Sequence, residues 1–180
     1  HGQKRLWILS QDPIGTVAYN LSYSLRLTGA LDADALTAAF TDIVAQHESL
    51  RTAFVLRGGE PRQCVRPTSG FVLDRLDLAA KPDPVAAARK LVRQEAECPF
   101  DLTAPPLLRA RLLRLDRHDH VLLISLHHIV ADGVSLNVLL RELDQAYSAR
   151  CRGTAPAFQP LALQYPDVAV WQAAQMAGPT

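Results

Sequence analysis

The chain has 180 residues, of which 48% are hydrophobic and 21% are charged. A chain of this length can form one domain with a substantial core, and the composition is ordinary for a soluble globular protein. Nineteen Lys and Arg against 18 Asp and Glu leave a formal net charge of +1, so charge gives no argument for binding nucleic acid or an anionic membrane. The apolar runs are too short to span a bilayer, and no apolar stretch follows the N-terminal charges as it would in a signal peptide.

The three cysteines predict a reducing compartment. Cys64, Cys98 and Cys151 are odd in number and show no C-x-x-C spacing. Because this pattern supports neither a disulfide framework nor a zinc site, we expect reduced thiols in a cytoplasmic protein.

Two periodic patterns of hydrophobic residues predict a strand and then a helix near the start of the chain. Leu and Tyr alternate with polar residues over residues 21–28, which predicts a strand with one buried face that ends at Gly29. Asp32 is then a candidate helix N-cap. The following helix is expected to pack through one stripe, made of Leu36, Phe40, Ile43, Val44 and His47.

The rest of the chain continues to alternate between strands and helices. In order, the patterns predict a hairpin of residues 52–56 and 63–65, a short strand at 71–76, a helix at 82–97, a second hairpin of 107–115 and 121–126, a helix at 135–150 and a short helix at 168–174. This order predicts an α/β (α+β) sandwich, in which helices pack on a mixed β-sheet.

The run His-His-Ile-Val-Ala-Asp-Gly at residues 127–133 is the strongest functional signal. A continuous apolar strand precedes it and a helical pattern follows it. Two imidazoles at the end of a buried strand occupy a place where an enzyme would hold a base that works near neutral pH. Neighbours on an extended backbone point in opposite directions, so we expect one histidine to turn inward and the other to face a cleft.

Three interpretations of this run follow from the residues alone. A metal site is weakly supported, because adjacent strand residues diverge and no further ligand has suitable spacing. A purely structural pair of histidines is the second interpretation. A general base or transition-state stabiliser is the third, and the residue type and its location favour it.

The run fits the HHxxxDG pattern and so resembles the condensation domains of nonribosomal peptide synthetases and their relatives with the chloramphenicol-acetyltransferase fold. Three further segments strengthen the resemblance. Residues 3–7, QKRLW, are similar to the end of the family's first motif, and residues 46–54, QHESLRTAF, match its second motif with Gln46 in place of Arg. Residues 165–171, YPDVAVW, are similar to its fourth motif with Val168 in place of an aromatic residue.

The resemblance implies amide-bond formation between aminoacyl or peptidyl thioesters. The substrates would arrive on the phosphopantetheine arms of upstream and downstream peptidyl carrier proteins, with no cofactor or metal bound directly. Condensation domains have two lobes, and residues 1–180 resemble the N-terminal lobe alone, with the C-terminal lobe and an adjacent adenylation domain as expected partners. We therefore expect the isolated chain to fold but to be inactive.

The resemblance also assigns site residues. His128 corresponds to the active-site histidine, either as a base or as a group that orients the amine, and His127 corresponds to a supporting residue. Asp132 is expected to form an ion pair with Arg51, and Gly133 to keep the approach to the thioester open. The remaining motif residues are expected to pack or tether elements; they are Arg5, Trp7, His47, Glu48, Tyr165 and Trp171. Of these, His47 is expected to be a satisfied interior histidine and Trp171 an anchor in the core or between lobes.

Three other functions fit the same pattern less well. An epimerisation domain shares HHxxxDG, but its third motif commonly continues with Trp where this chain has Leu136. A non-catalytic, condensation-like platform that recruits partner enzymes usually lacks a motif histidine or the glycine, and this chain keeps all of them. A stand-alone acyltransferase of the same superfold is disfavoured by the first, second and fourth motifs.

Overall fold

A computed structural model of the protein describes residues 2–11 and 15–176. The chain begins with two short helices that the sequence patterns did not predict, α1 (Gly2–Leu9) and α2 (Gly15–Ala18). Among the described residues, no helix is long and apolar enough to cross a membrane.

The main sheet contains four strands in the order β1-β6-β5-β4. Their bounds are β1 (Asn20–Thr28), β4 (Asp74–Asp77), β5 (Leu108–Asp116) and β6 (Asp119–His127). The pairs β1–β6 and β5–β6 are antiparallel, whereas β4–β5 is parallel. The sheet is therefore mixed, as the interleaved pattern predicted.

The strand predicted at 71–76 corresponds to β4, which begins three residues later, at Asp74. Phe71 and Leu73 are buried but precede the paired residues, and the Phe71 ring stacks on Phe40 with 5.0 Å between centroids. The apolar residues at the start of this segment thus pack into the core without joining the ladder, and pairing begins at Asp74.

The hairpin at 52–65 forms a separate two-stranded sheet of β2 (Thr52–Arg57) and β3 (Glu60–Val65). Its two connecting residues are Gly58 and Gly59, with φ of 60° and 79°. A two-residue hairpin turn with positive φ at both positions favours glycine, so the sequence specifies this turn locally.

Helices cover both faces of the main sheet. On one face lie α3 (Ala33–Gln46) and α5 (Gly133–Cys151), packed on inward residues of β5 and β6 such as Leu112 and Ile124. On the other lies α4 (Pro84–Ala96), whose Ala88 packs with Leu113 and Leu123. Because alternate strand residues point to opposite faces, both sets are buried, which explains the continuous apolar runs in these strands.

The helix starts follow from their caps. The side chain of Asp32 accepts hydrogen bonds from the backbone N–H groups of Asp34 and Ala35, each at 2.9 Å, which confirms it as the N-cap of α3. Asp83 lies directly before Pro84, the first residue of α4. Its side chain caps this helix by accepting a hydrogen bond from the backbone N–H of Ala86.

The last helix, α6 (Tyr165–Met176), starts three residues earlier than predicted. Trp171 on this helix is 61% exposed and Tyr165 is 47% exposed. The expectation that Trp171 anchors the core is therefore wrong for this chain, and its role between lobes stays a prediction.

Candidate active site

The two adjacent histidines have opposite environments, as expected for neighbours at the end of a strand. His127 is the last residue of β6 and is 1% exposed, whereas His128 begins the turn at 128–130 and is exposed. After this turn the chain reaches Asp132 and enters α5 at Gly133. Only His128 of the two can meet a molecule in solution.

His127 is held as a neutral imidazole. Its Nδ1 accepts a hydrogen bond from the backbone N–H of Ile129 at 3.1 Å, so the proton lies on Nε2, which is buried with no hydrogen-bond partner among the described residues. The ring of Phe100 meets the imidazole edge-on at 6.1 Å. Burial, with a smaller effect from the neighbouring His128, lowers the pKa of His127 to about 4. This residue suits support of the turn, not proton transfer near neutral pH.

His128 is fixed through its backbone. Its N–H donates to the carbonyl of Tyr19 at 2.8 Å, which continues the contact between β1 and β6 by one residue. The imidazole itself lies on the surface. The arrangement combines a rigid main chain with an accessible ring, which suits a base or a hydrogen-bonding group.

Gln3 of α1 ties this turn to the hairpin. Its Nε2 donates to the carbonyl of Ile129 at 2.9 Å, and its Oε1 accepts from Nε2 of Gln63 on β3 at 2.7 Å. An apolar cluster lies beneath the turn and contains Phe54, Phe100, Leu102, Leu107 and Ile129, with Leu6 and Trp7 packed against it. Gln3 lies in the segment that is similar to the first motif, and this similarity is the sequence signal that marks it. No pattern in the sequence predicted a role for its side chain.

Asp132 caps a helix instead of forming the expected ion pair. Its Oδ1 accepts from the backbone N–H of Ser135 at 2.8 Å and from the Ser135 hydroxyl at 2.7 Å, while that hydroxyl accepts from the Asp132 N–H. These bonds make a capping box at the start of α5. The hydrogen bonds from Ser135 lower the pKa of Asp132, with a smaller contribution from His128.

Arg51 lies in a different network, so the predicted pair of Asp132 with Arg51 is wrong in this structure. The guanidinium of Arg51 donates to Oε1 of Glu48 at 3.3 Å and to the carbonyl of Arg66 at 2.8 Å. Glu48 is three residues away on the same short 3₁₀ segment, Glu48–Arg51, and the local partner is preferred over the distant one.

Gly133 is free of steric constraint within the described residues. A Cβ atom built at this position would meet no heavy atom within 4 Å, and its φ is not positive. Any need for a glycine here must therefore come from a molecule that approaches this surface, which keeps the expected clearance role a prediction.

His47 is satisfied, as predicted. It caps the C-terminal end of α3, and its Nε2 lies 2.5 Å from Oε2 of Glu142 on α5. Glu48, the next residue, donates its backbone N–H to the side chain of Gln164, which precedes α6. The second motif thus joins α3, α5 and the start of α6, which is the tethering role expected for these residues.

The thiols and metal-ligating groups add no further site. Cys64, Cys98 and Cys151 are free cysteines. In the part of the chain that the structure describes, no three His, Cys, Asp or Glu side chains lie close enough together to hold a metal ion.

Comparison with known proteins places this geometry in a family. Residues 1–179 match the family model of the condensation domain, and the chain therefore belongs to the condensation domain family. It is 38% identical over 178 residues to the malpinin synthetase of Mortierella alpina, covering 98% of this chain and 2% of that protein. It is 41% identical over 170 residues to the isonitrile lipopeptide synthase of Mycobacterium tuberculosis, covering 94% of this chain and 7% of that protein. The chain spans a small fraction of these relatives.

Solved structures agree on the fold. The X-domain from teicoplanin biosynthesis is similar with a TM-score of 0.86 and 37% identity, over 98% of this chain and 37% of that one. The starter condensation domain of the rhizomide synthetase RzmA is similar with a TM-score of 0.85 and 26% identity, over 99% of this chain and 44% of that one. Both confirm the predicted mixed sheet with packed helices, and both chains are more than twice as long as the part matched here.

Proposed function

We propose that this chain supplies the HHxxxDG part of an active site that forms peptide bonds between carrier-bound thioesters. The observation that carries the proposal is the accessible imidazole of His128 on a turn whose backbone is fixed by Tyr19 and Gln3. Membership of the condensation domain family supports the same reaction.

The proposed reaction is aminolysis of a thioester. The amine of an acceptor aminoacyl thioester attacks the carbonyl carbon of the donor thioester, a C–N bond forms, and the C–S bond breaks. The amine loses one proton and the donor arm leaves as a thiol, so no other reactant is needed. His128 would accept the amine proton or orient the amine through a hydrogen bond; both roles require its neutral form. Holding the two arms together supplies a further part of the rate.

The proposed partners follow from the reaction. The substrates would arrive on phosphopantetheine arms of upstream and downstream peptidyl carrier proteins, and the chain itself would bind no cofactor. Residues 1–180 would act as the N-terminal lobe, with a C-terminal lobe that completes the site and an adenylation domain beside it. Support comes from the relatives, which are named as a synthetase and a lipopeptide synthase and are far longer. A cytoplasmic location belongs to the same proposal.

A recruitment platform is the second candidate. The similarity to the teicoplanin X-domain favours it, and one structure of that X-domain is a complex with OxyB. In that case the surface around the turn would bind a partner enzyme without forming a bond. The intact His127, His128, Asp132 and Gly133 favour condensation over this alternative.

Reconstitution of the reaction tests the proposal. A complete condensation domain that contains this chain would be mixed with donor- and acceptor-loaded carrier proteins, and the dipeptidyl product measured. His128→Ala should abolish the product and change the free energy of unfolding by no more than about 0.5 kcal/mol, because the side chain is exposed. His118→Ala, another exposed histidine in the β5–β6 turn, is the control and should remain active.

The outcomes separate the candidates. Product from wild type and from His118→Ala, but not from His128→Ala, supports condensation. Full activity of His128→Ala, or a wild-type domain that makes no product, would contradict it. The 180-residue chain alone is expected to show a cooperative unfolding transition and no condensation.

A further inference from the structure

A short loop after α4 passes directly beside the end of β6. We call residues 97–100, which follow the last residue of α4, the α4–β5 loop. Asn20, the first residue of β1, lies opposite His127 in the β1–β6 register. Its Nδ2 donates to the carbonyls of Ala96 at 3.0 Å and Cys98 at 2.8 Å. The loop is thus attached to the strand that pairs with His127.

Arg109 on β5 holds the same loop from the other side. Its Nη2 donates to the carbonyl of Cys98 at 2.7 Å and its Nη1 to the carbonyl of Pro99 at 2.8 Å. The guanidinium lies over the ring of Phe100, with 3.8 Å from Cζ to the ring centroid. One side chain therefore contacts three consecutive residues of the loop.

The position of Arg109 is itself fixed by a buried carboxylate. Its Nε donates to Oε1 of Glu95, near the end of α4, at 2.8 Å, and the Glu95 side chain is 5% exposed. Arg111 lies two residues further along β5, and its Nε is 3.5 Å from Oε2 of Glu95. Arg109 and Arg111 share a face of the sheet, but the contacts of Arg111 are with Glu95 and Asp74 and not with the loop.

Phe100 connects the α4–β5 loop to His127. Its ring meets the imidazole of His127 at 6.1 Å between centroids with the planes at 76°. His127 in turn accepts the N–H of Ile129 and so shapes the turn that presents His128. Each step of this path is a direct contact; Phe100 and His127 are buried, whereas Cys98 and Pro99 are exposed.

We infer that Arg109 is a positioning residue for His128, acting through the α4–β5 loop, Phe100 and His127. This inference rests on the proposed function of His128. Arginine suits the task because its planar group offers five donors and a flat face, so it can bind a carboxylate, two carbonyls and a ring at once. A lysine would keep the charge beside Glu95, but it has one nitrogen in place of the three that bind Glu95, Pro99 and Cys98.

Arg109→Met in the complete condensation domain tests this inference, with Arg111→Met as the matched control. Both variants remove one positive charge beside Glu95, and in each the other arginine remains there, so the carboxylate is not left unpaired. Arg109→Met should lower kcat for condensation by about tenfold or more, since small displacements of a reacting group are costly. The KM for the loaded carriers should stay within about twofold of wild type, because no substrate contact is removed. Arg111→Met should leave kcat within about twofold of wild type, and Arg109→Lys should lie between the two.

Titration of the His127 ring by NMR provides a readout that does not depend on activity. Without Arg109 the loop loosens and water reaches the ring, so the pKa of His127 should rise from about 4 towards its ordinary 6.5, and it should stay low in Arg111→Met. Equal kcat for the two methionine variants, or an unchanged His127 pKa in Arg109→Met, would overturn the inference. A wild-type domain without condensation activity would contradict the proposed function; the titration then still decides whether Arg109 supports the turn.

Discussion

The Nδ1 atom of His127 accepts the backbone N–H of Ile129 at 3.1 Å, and this bond assigns the imidazole its neutral form with the proton on Nε2. A protonated ring would have to donate from Nδ1 and could not accept this hydrogen bond. The turn that carries His128 therefore depends on His127 remaining uncharged.

The first prediction is a loss of stability in mild acid. The pKa of His127 is about 4 in the folded chain and near the ordinary 6.5 when unfolded, so between these values the unfolded state binds more protons. Stability should fall as pH drops from about 6.5 to about 4, by up to about 1.4 kcal/mol per pH unit from this group, and this loss should level off below pH 4. Chemical denaturation at a series of pH values measures it.

The control is His127→Asn, whose side-chain oxygen can take the place of Nδ1 and whose amide does not titrate. The difference in stability between wild type and this variant should shrink or reverse as pH falls through that window. Parallel pH profiles for the two proteins would show that His127 does not titrate as described.

The second prediction concerns the cap of α5. Asp132→Ala removes the acceptor of the Ser135 N–H and should lower the free energy of unfolding by about 1 kcal/mol. Asp132→Asn keeps an acceptor and should lose less, mainly the favourable interaction of the charge with the helix dipole. Since the pKa of Asp132 is lowered, acid should weaken this cap only below its ordinary value of 3.8, a window separate from that of His127. A loss of about 3–5 kcal/mol in Asp132→Ala would instead indicate a buried ion pair.

The difference between the expected and observed partners of Asp132 shows what the sequence could predict here. Asp132 and Ser135 have the spacing of a capping box, a local signal at the start of a helical pattern, and this local pair prevails over the distant Arg51. Strands and helices with strong periodicity, such as β1 and α3, were predicted for the same reason. α1 was missed, because none of its residues is buried and it has no cap signal.

Contacts between residues far apart in the chain could not be predicted from the sequence patterns. The contacts of Arg109 with the α4–β5 loop depend on where α4 ends relative to β5, which no single segment specifies. The same holds for Asn20, whose side chain reaches residues 76 and 78 positions later in the chain. The sequence thus predicted the location of His128 but not the groups that hold its turn in place.

The third prediction separates stability from activity at Gly133. Gly133→Ala adds a methyl group that meets no described atom, and it reduces the conformational entropy of the unfolded chain, which stabilises by up to about 1 kcal/mol where the native φ is not positive. Thermal unfolding should therefore show equal or higher stability. Condensation should fall, because the added methyl group would meet the substrate arm that the proposed function brings to this surface. If Gly133→Ala keeps both full stability and full activity, the glycine has no clearance role.

The fourth prediction tests how Gln3 supports the turn. Gln3→Glu replaces the amide donor to the Ile129 carbonyl with a carboxylate oxygen, while the second oxygen can still accept from Gln63. Two acceptors would then face each other at the turn, which should cost about 1–3 kcal/mol and lower condensation. Gln63→Ala is the control, because it removes the bond to Gln3 but leaves the bond from Gln3 to Ile129 in place. Denaturation and product assays on both variants should show the larger effect in Gln3→Glu; an equal or larger effect in Gln63→Ala would mean that the hairpin contact, and not the bond to Ile129, is what matters for the turn.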